Sequence, residues 1–137
     1  MSTFHFQPIR GQAHSILRAI MQSPEVTACP QKSLLTLRLA CEEIVVNMTS
    51  YAYPEGIDGF LDIDIRKSEN RIIICFINDG IPFNPLEHQT PDLNLSWKQR
   101  NIGGLGIYLL TKKMDEVRYD YVDSKNVLTI EKDIKNL

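Results

Sequence analysis

Leu61-Asp62-Ile63-Asp64-Ile65-Arg66, a break at Ser68-Glu69-Asn70, then Ile72-Ile73-Ile74-Cys75-Phe76-Ile77: this stretch sets the architecture of the 137-residue chain. From Leu61 to Arg66 apolar and charged residues alternate, the period of a strand with one wet face. Ile72 to Ile77 is apolar throughout and predicts a second strand, buried along much of its length. The break between them has hairpin length, so the two strands are predicted to run antiparallel.

The same periodicities organise the flanks. Thr3 to Gln7 reads as a short edge strand. From Ile9 to Met21, Ala13, Ile16, Leu17 and Ile20 fall at helical spacing. Ser23-Pro24 and Cys29-Pro30 punctuate a loop, and Pro30 suits the first turn of a second helix. That helix carries Leu34, Leu35, Leu37, Ala40, Cys41, Ile44 and Val45, and is expected to reach about Tyr53, where Pro54 stops it. Beyond Ile77, a polar segment with Pro82, Pro85 and Pro91 runs from Asp79 to Gly103, a length typical of functional lids or disordered segments. Leu105 to Met114 reads as a helix opened by glycines. Val117, Tyr119 and Tyr121 then alternate with Arg118 and Asp120, Asp123 to Asn126 turns the chain, and Val127 to Lys132 is a last strand.

The order β-α-α-β-β-lid-α-β-β predicts an α+β two-layer sandwich. It has a mostly antiparallel sheet of about five strands with three helices on one face. Strand order is not readable. No repeat, low-complexity tract or linker divides the chain, so residues 1–137 are expected to form one domain, with the lid at about 84–102.

Composition narrows the function classes. Hydrophobic residues make up 43% and charged residues 23%, with a formal net charge of −2, so the chain is globular and has no basic stripe for nucleic acid. The start lacks the basic and apolar regions of a signal peptide, and the longest apolar run is too short to cross a bilayer. A cytoplasmic protein away from the membrane is expected. Cys29, Cys41 and Cys75 form no C-x-x-C pair. Cys41 and Cys75 lie in apolar segments and read as buried free thiols. His5, His14 and His88 are too scattered for a metal site, and Trp97 falls within the lid.

Three segments carry chemistry. In Glu43-Ile44-Val45-Val46-Asn47 the carboxylate and the amide lie four apart and share one helix face. An amide oxygen suits Mg²⁺, and a nearby carboxylate can accept a proton. Taken alone, the pair equally describes the polar face of an amphipathic helix. Adjacent Glu42 points elsewhere and reads as surface. Asn78-Asp79-Gly80-Ile81-Pro82-Phe83 follows the buried strand. There a polar side chain can bond the edge of a base and Gly80 lets backbone approach a planar ligand, although the same residues make an ordinary turn. Gly103-Gly104-Leu105-Gly106 opens a helix whose amino-terminal N–H groups can meet phosphates, with Lys98 and Arg100 upstream. It matches neither the Rossmann nor the Walker pattern.

In this order and spacing the three segments resemble the N, G1 and G2 boxes of the Bergerat-fold (GHKL, histidine-kinase-like) ATPases. Gly103 to Ile107, Met114-Asp115-Glu116-Val117, Ile81 to Pro85 and Asn126 to Thr129 are further similar to the bacterial anti-sigma-factor serine kinases. By motif the likeness runs from about Leu34 to Lys132. The resemblance implies ATP and Mg²⁺ as cofactors, Glu43 as general base, and Asn47 as the Mg²⁺ ligand and part of the nucleotide site. It implies Asn78 and Gly80 at the base, Gly104, Leu105 and Gly106 at the phosphates, and Arg100 as a phosphate contact. Two positions depart from the family pattern. Asn78 stands where relatives carry an aspartate, which removes charge from the base contact and predicts weaker affinity or relaxed base choice. Tyr51 stands where many carry a histidine.

The implied function is a serine kinase that binds a sigma factor and phosphorylates a serine on an anti-sigma-factor antagonist, with a homodimer left open. A nucleotide-responsive binding module without phosphotransfer is the alternative. The catalytic domain of a sensor histidine kinase ranks third, because no phospho-accepting histidine helix precedes Glu43.

Overall fold

The computed structural model describes residues 1–51, 59–82, 84 and 112–135. Its elements are β1 (Ser2–Phe6), α1 (Ala13–Gln22), α2 (Pro24–Thr27), α3 (Gln31–Tyr51), β2 (Leu61–Lys67), β3 (Arg71–Asn78), β4 (Glu116–Val122) and β5 (Lys125–Asp133). The five strands form one sheet in the order β1-β2-β3-β5-β4, and every neighbouring pair is antiparallel.

Alternation in β2 and β3 does what a period of two requires. Leu61, Ile63, Ile65, Ile72, Ile74 and Phe76 are completely buried, and Asn78 ends the same inward row. Asp62 and Asp64 sit on the opposite face with Ile73, Cys75 and Ile77, all partly exposed. β3 is therefore sealed on one face only. Its outward isoleucines are shaded by neighbouring strands, and among the described residues no helix covers that face. The β4–β5 hairpin closes through Asp123 and Ser124, both at positive φ (53° and 62°), the backbone that fits a two-residue turn to the twist of the strands.

Helix α3 buries Leu37, Ala40, Cys41, Ile44 and Val45, which recur at i, i+3, i+4, i+7 and i+8. These residues join Ile16 and Ile20 of α1 and the inward rows of β2, β3 and β5 in one core. Leu35, counted among the apolar residues of this helix, faces outward with Leu39, at 64% and 58% exposure. Both lie on the side of the helix away from the centre of the buried stripe.

The stretch between Ser23 and Pro30 is not simply a loop. Ser23 is buried and caps two helices at once. Its hydroxyl donates to the Ile20 carbonyl (2.7 Å) at the end of α1 and accepts from the Val26 N–H (3.4 Å) in the first turn of α2. Pro24 follows at the first helical position and Glu25 adds negative charge to the first turn. Glu25 in turn accepts from the Ser2 hydroxyl and lies 3.5 Å from the amino terminus, tying β1 to α2.

Candidate functional site

The Glu43–Asn47 pair forms as the helical spacing requires. The Asn47 Nδ2 donates to the Glu43 carbonyl (3.0 Å) and to its carboxylate Oε1 (3.1 Å). A carbonyl and a carboxylate can only accept, so the amide nitrogen is fixed on that side and the Asn47 Oδ1 points away from Glu43. Asn47 Oδ1 has no hydrogen-bond donor among the described residues, so it is a hard oxygen available to a cation. Burial pushes the Glu43 carboxyl above its usual range, the Asn47 N–H pulls it partly back, and the Glu42 charge raises it. Glu42 itself is exposed, as expected.

A second cluster stands at the end of β3. Asn78 is 2% exposed, and its Oδ1 accepts from the Gly80 N–H (2.9 Å) and from the Asn126 Nδ2 (3.1 Å). The Asn126 Nδ2 also approaches the carbonyls of Gly80 (3.3 Å) and Ile81 (2.9 Å), and its Oδ1 accepts from the Tyr119 hydroxyl. Gly80 is buried, with its N–H and its carbonyl both engaged. Asp79, the next residue, is exposed and receives the Phe60 N–H at 3.2 Å.

The structure thus brings Glu43 to Asn47 and Asn78 to Gly80. Arg100, Gly104, Leu105, Gly106 and the lid at 84–102, apart from Asn84, lie outside the described residues, as do the side chain of Tyr51, Trp97, His88 and most of the helix expected from Leu105. Asn126 is the participant that sequence reasoning missed, since it was placed in a turn. It sits directly opposite Asn78 in the β3–β5 register, and the signal was available in the inward row Asn126, Leu128, Ile130. The cysteines are free: Cys29 and Cys41 are buried, and Cys75 is only partly so because it belongs to the open face. Burial pushes the Cys41 thiol up to about 12. No helix among the described residues is long and apolar enough to cross a membrane.

The site thus consists of an open antiparallel sheet backed by helices, a carboxylate–amide pair on the long helix and a polar strand end. The model of the histidine kinase-like ATPase domain matches residues 6–132, and the chain belongs to that family. Among curated proteins it is similar to the serine/threonine-protein kinase BtrW of Bordetella bronchiseptica, 25% identical over 69% of this chain and 67% of that protein. It is also similar to the serine-protein kinase RsbW of Bacillus subtilis, 32% identical over 60% of this chain and 54% of the relative. The match to RsbW of Bacillus thuringiensis, at 27% identity, spans 59% of that protein. The chain therefore spans little more than half the length of the RsbW relatives. The histidine kinase domain of the blue-light activated kinase EL346 from Erythrobacter litoralis shares the fold, with a TM-score of 0.55 at 13% identity over 93% of this chain and 61% of that one.

Proposed function

We propose that the protein is an anti-sigma-factor serine kinase: it binds ATP with Mg²⁺ and transfers the terminal phosphate to a serine of an anti-sigma-factor antagonist. The observation that carries this reading is the fixed polarity of Asn47. Its NH₂ is held by Glu43, and its oxygen is left for a hard cation. Asn47 would hold Mg²⁺ there, and the ion would supply charge neutralisation to the phosphates. Asn47 orients the ion, and Glu43, its pKa raised by burial, takes the proton from the serine hydroxyl. Arg100, Gly104, Leu105 and Gly106 are assigned to the phosphates and Asn78 with Gly80 to the base. Similarity to serine-protein kinases supports the acceptor, and the sigma factor and its antagonist are the partners proposed. The protein is taken to work in the cytoplasm as one domain over residues 1–137, alone or as a homodimer.

Calorimetric titration with ATP, with and without Mg²⁺, tests the site. Mg²⁺-dependent binding that Asn47→Ala abolishes is the expected result; binding indifferent to Mg²⁺ and to Asn47 would sink it. A nucleotide-responsive module without phosphotransfer has one observation in its favour, the uncharged Asn78. Transfer to a serine that disappears in Glu43→Gln separates the kinase from the module.

A further inference from the structure

The amide of Asn78 has a polarity that can be assigned without ambiguity. The Gly80 N–H can only donate, so the atom 2.9 Å from it is the oxygen. Asn126 agrees. Its nitrogen faces three acceptors, the Asn78 oxygen and the carbonyls of Gly80 and Ile81, while its oxygen takes the Tyr119 hydroxyl. Flipping either amide would set donor against donor or acceptor against acceptor. Both acceptor positions of the Asn78 oxygen are therefore filled from within the protein. What remains is the NH₂. It belongs to a residue 2% exposed on the inward row of β3, and it has no acceptor among the described residues. A buried donor left unpaired is costly, so this position calls for an acceptor.

Resting on the nucleotide site proposed above, we infer that Asn78 offers the purine a hydrogen-bond donor, and that the base pocket favours a 6-oxo purine over the 6-amino purine of ATP. The 6-amino group of adenine is a donor and would confront the NH₂ of Asn78. The 6-carbonyl of hypoxanthine or guanine is an acceptor at the same place. Adenine retains N1 as an acceptor one atom along its edge, so ATP remains a ligand held mainly through its phosphates. An aspartate at this position would reverse the polarity. One carboxylate oxygen would keep the Gly80 and Asn126 bonds, and the other would accept the adenine amino group.

Inosine triphosphate is the probe, since it changes the base edge at C6 and N1 and adds no 2-amino group. Both nucleotides are titrated with Mg²⁺ into the full chain and into Asn78→Asp. Inosine triphosphate should bind the unaltered protein about three- to tenfold more tightly than ATP, the worth of one neutral hydrogen bond. Asn78→Asp should invert the order. Two Mg²⁺-dependent affinities with ATP the tighter would overturn the inference and leave the nucleotide site standing. A preference for inosine triphosphate that survives Asn78→Asp would also overturn it, because the selection would then come from elsewhere. If neither nucleotide binds, the site itself fails and the base preference with it. Should Asn78→Asp not fold, the ratio in the unaltered protein decides alone.

Discussion

Asn47 turns its amide back onto Glu43 one helical turn earlier, and the same contact that orients a cation ligand also restrains a half-buried carboxylate. Glu43 is raised by burial, so the fold favours its neutral form. That contribution to stability is present below the unfolded value of 4.5 and is lost as pH rises through the raised value in the fold. Glu43→Gln keeps an acceptor for Asn47 and carries no charge. Its melting temperature should therefore draw ahead of the parent's between pH 4 and 7, while phosphotransfer drops about 100-fold or more. A melting difference that stays flat with pH would contradict the burial argument.

Asn126→Leu removes the donor shared by the Asn78 oxygen and the Gly80 and Ile81 carbonyls, in a buried position. Orphaned polar groups of this kind cost about 1–3 kcal/mol each, so urea unfolding should show a loss of about 2 kcal/mol or more. A loss under about 0.5 kcal/mol would mean that water replaces the amide.

His5 on β1 bonds Asp62 on β2, directly opposite in the register, and the aspartate raises the histidine above its ordinary 6.5. A raised histidine stabilises the pairing below that value, and the gain is lost as pH rises through the higher folded one. In an NMR titration Asp62→Asn should lower the His5 midpoint toward 6.5. An unmoved midpoint would show that the ion pair does not persist in solution.

Glu131 lies between Arg71 (3.1 Å) and Arg118, and the Arg118 hydrogen bond, with that of Arg71, holds its carboxyl below the usual range. Its contribution is present above 4.5 and is lost as pH falls through the lowered value. Glu131→Gln should cost about 1 kcal/mol at pH 7 and progressively less as pH falls below 4.5, as measured by denaturation across that range. An equal cost throughout would assign the effect to packing.

The parts of the fold that showed in the sequence are those governed by period. Leu61 to Arg66 alternates, and Leu37 to Val45 repeats at helical spacing, because each element must hide one face. Glu43 and Asn47 were paired by the same rule. Helix α2 was hidden because four residues make no period; only the Ser23-Pro24-Glu25 capping chemistry encodes it. Leu35 misled in the other direction, since apolar type alone does not fix the face a helix buries. Asn126 stayed out of sight because its meaning lies across a strand pairing to Asn78, and register between distant segments is not written in either one.

Strand order has a consequence for assembly of the chain. β3 pairs with β5, not with β4, so the whole stretch between Asn78 and Glu116 is spanned before the central ladder can zip. The β4–β5 hairpin closes through its own two-residue turn and can form first, then dock on β3 as a preformed unit. The entropic toll of that docking grows only logarithmically, about 0.6 kcal/mol for each doubling of the intervening chain. That closure term alone changes little with the length of the connection. The number of residues in that connection is thus a weak determinant of how the two halves of the sheet come together.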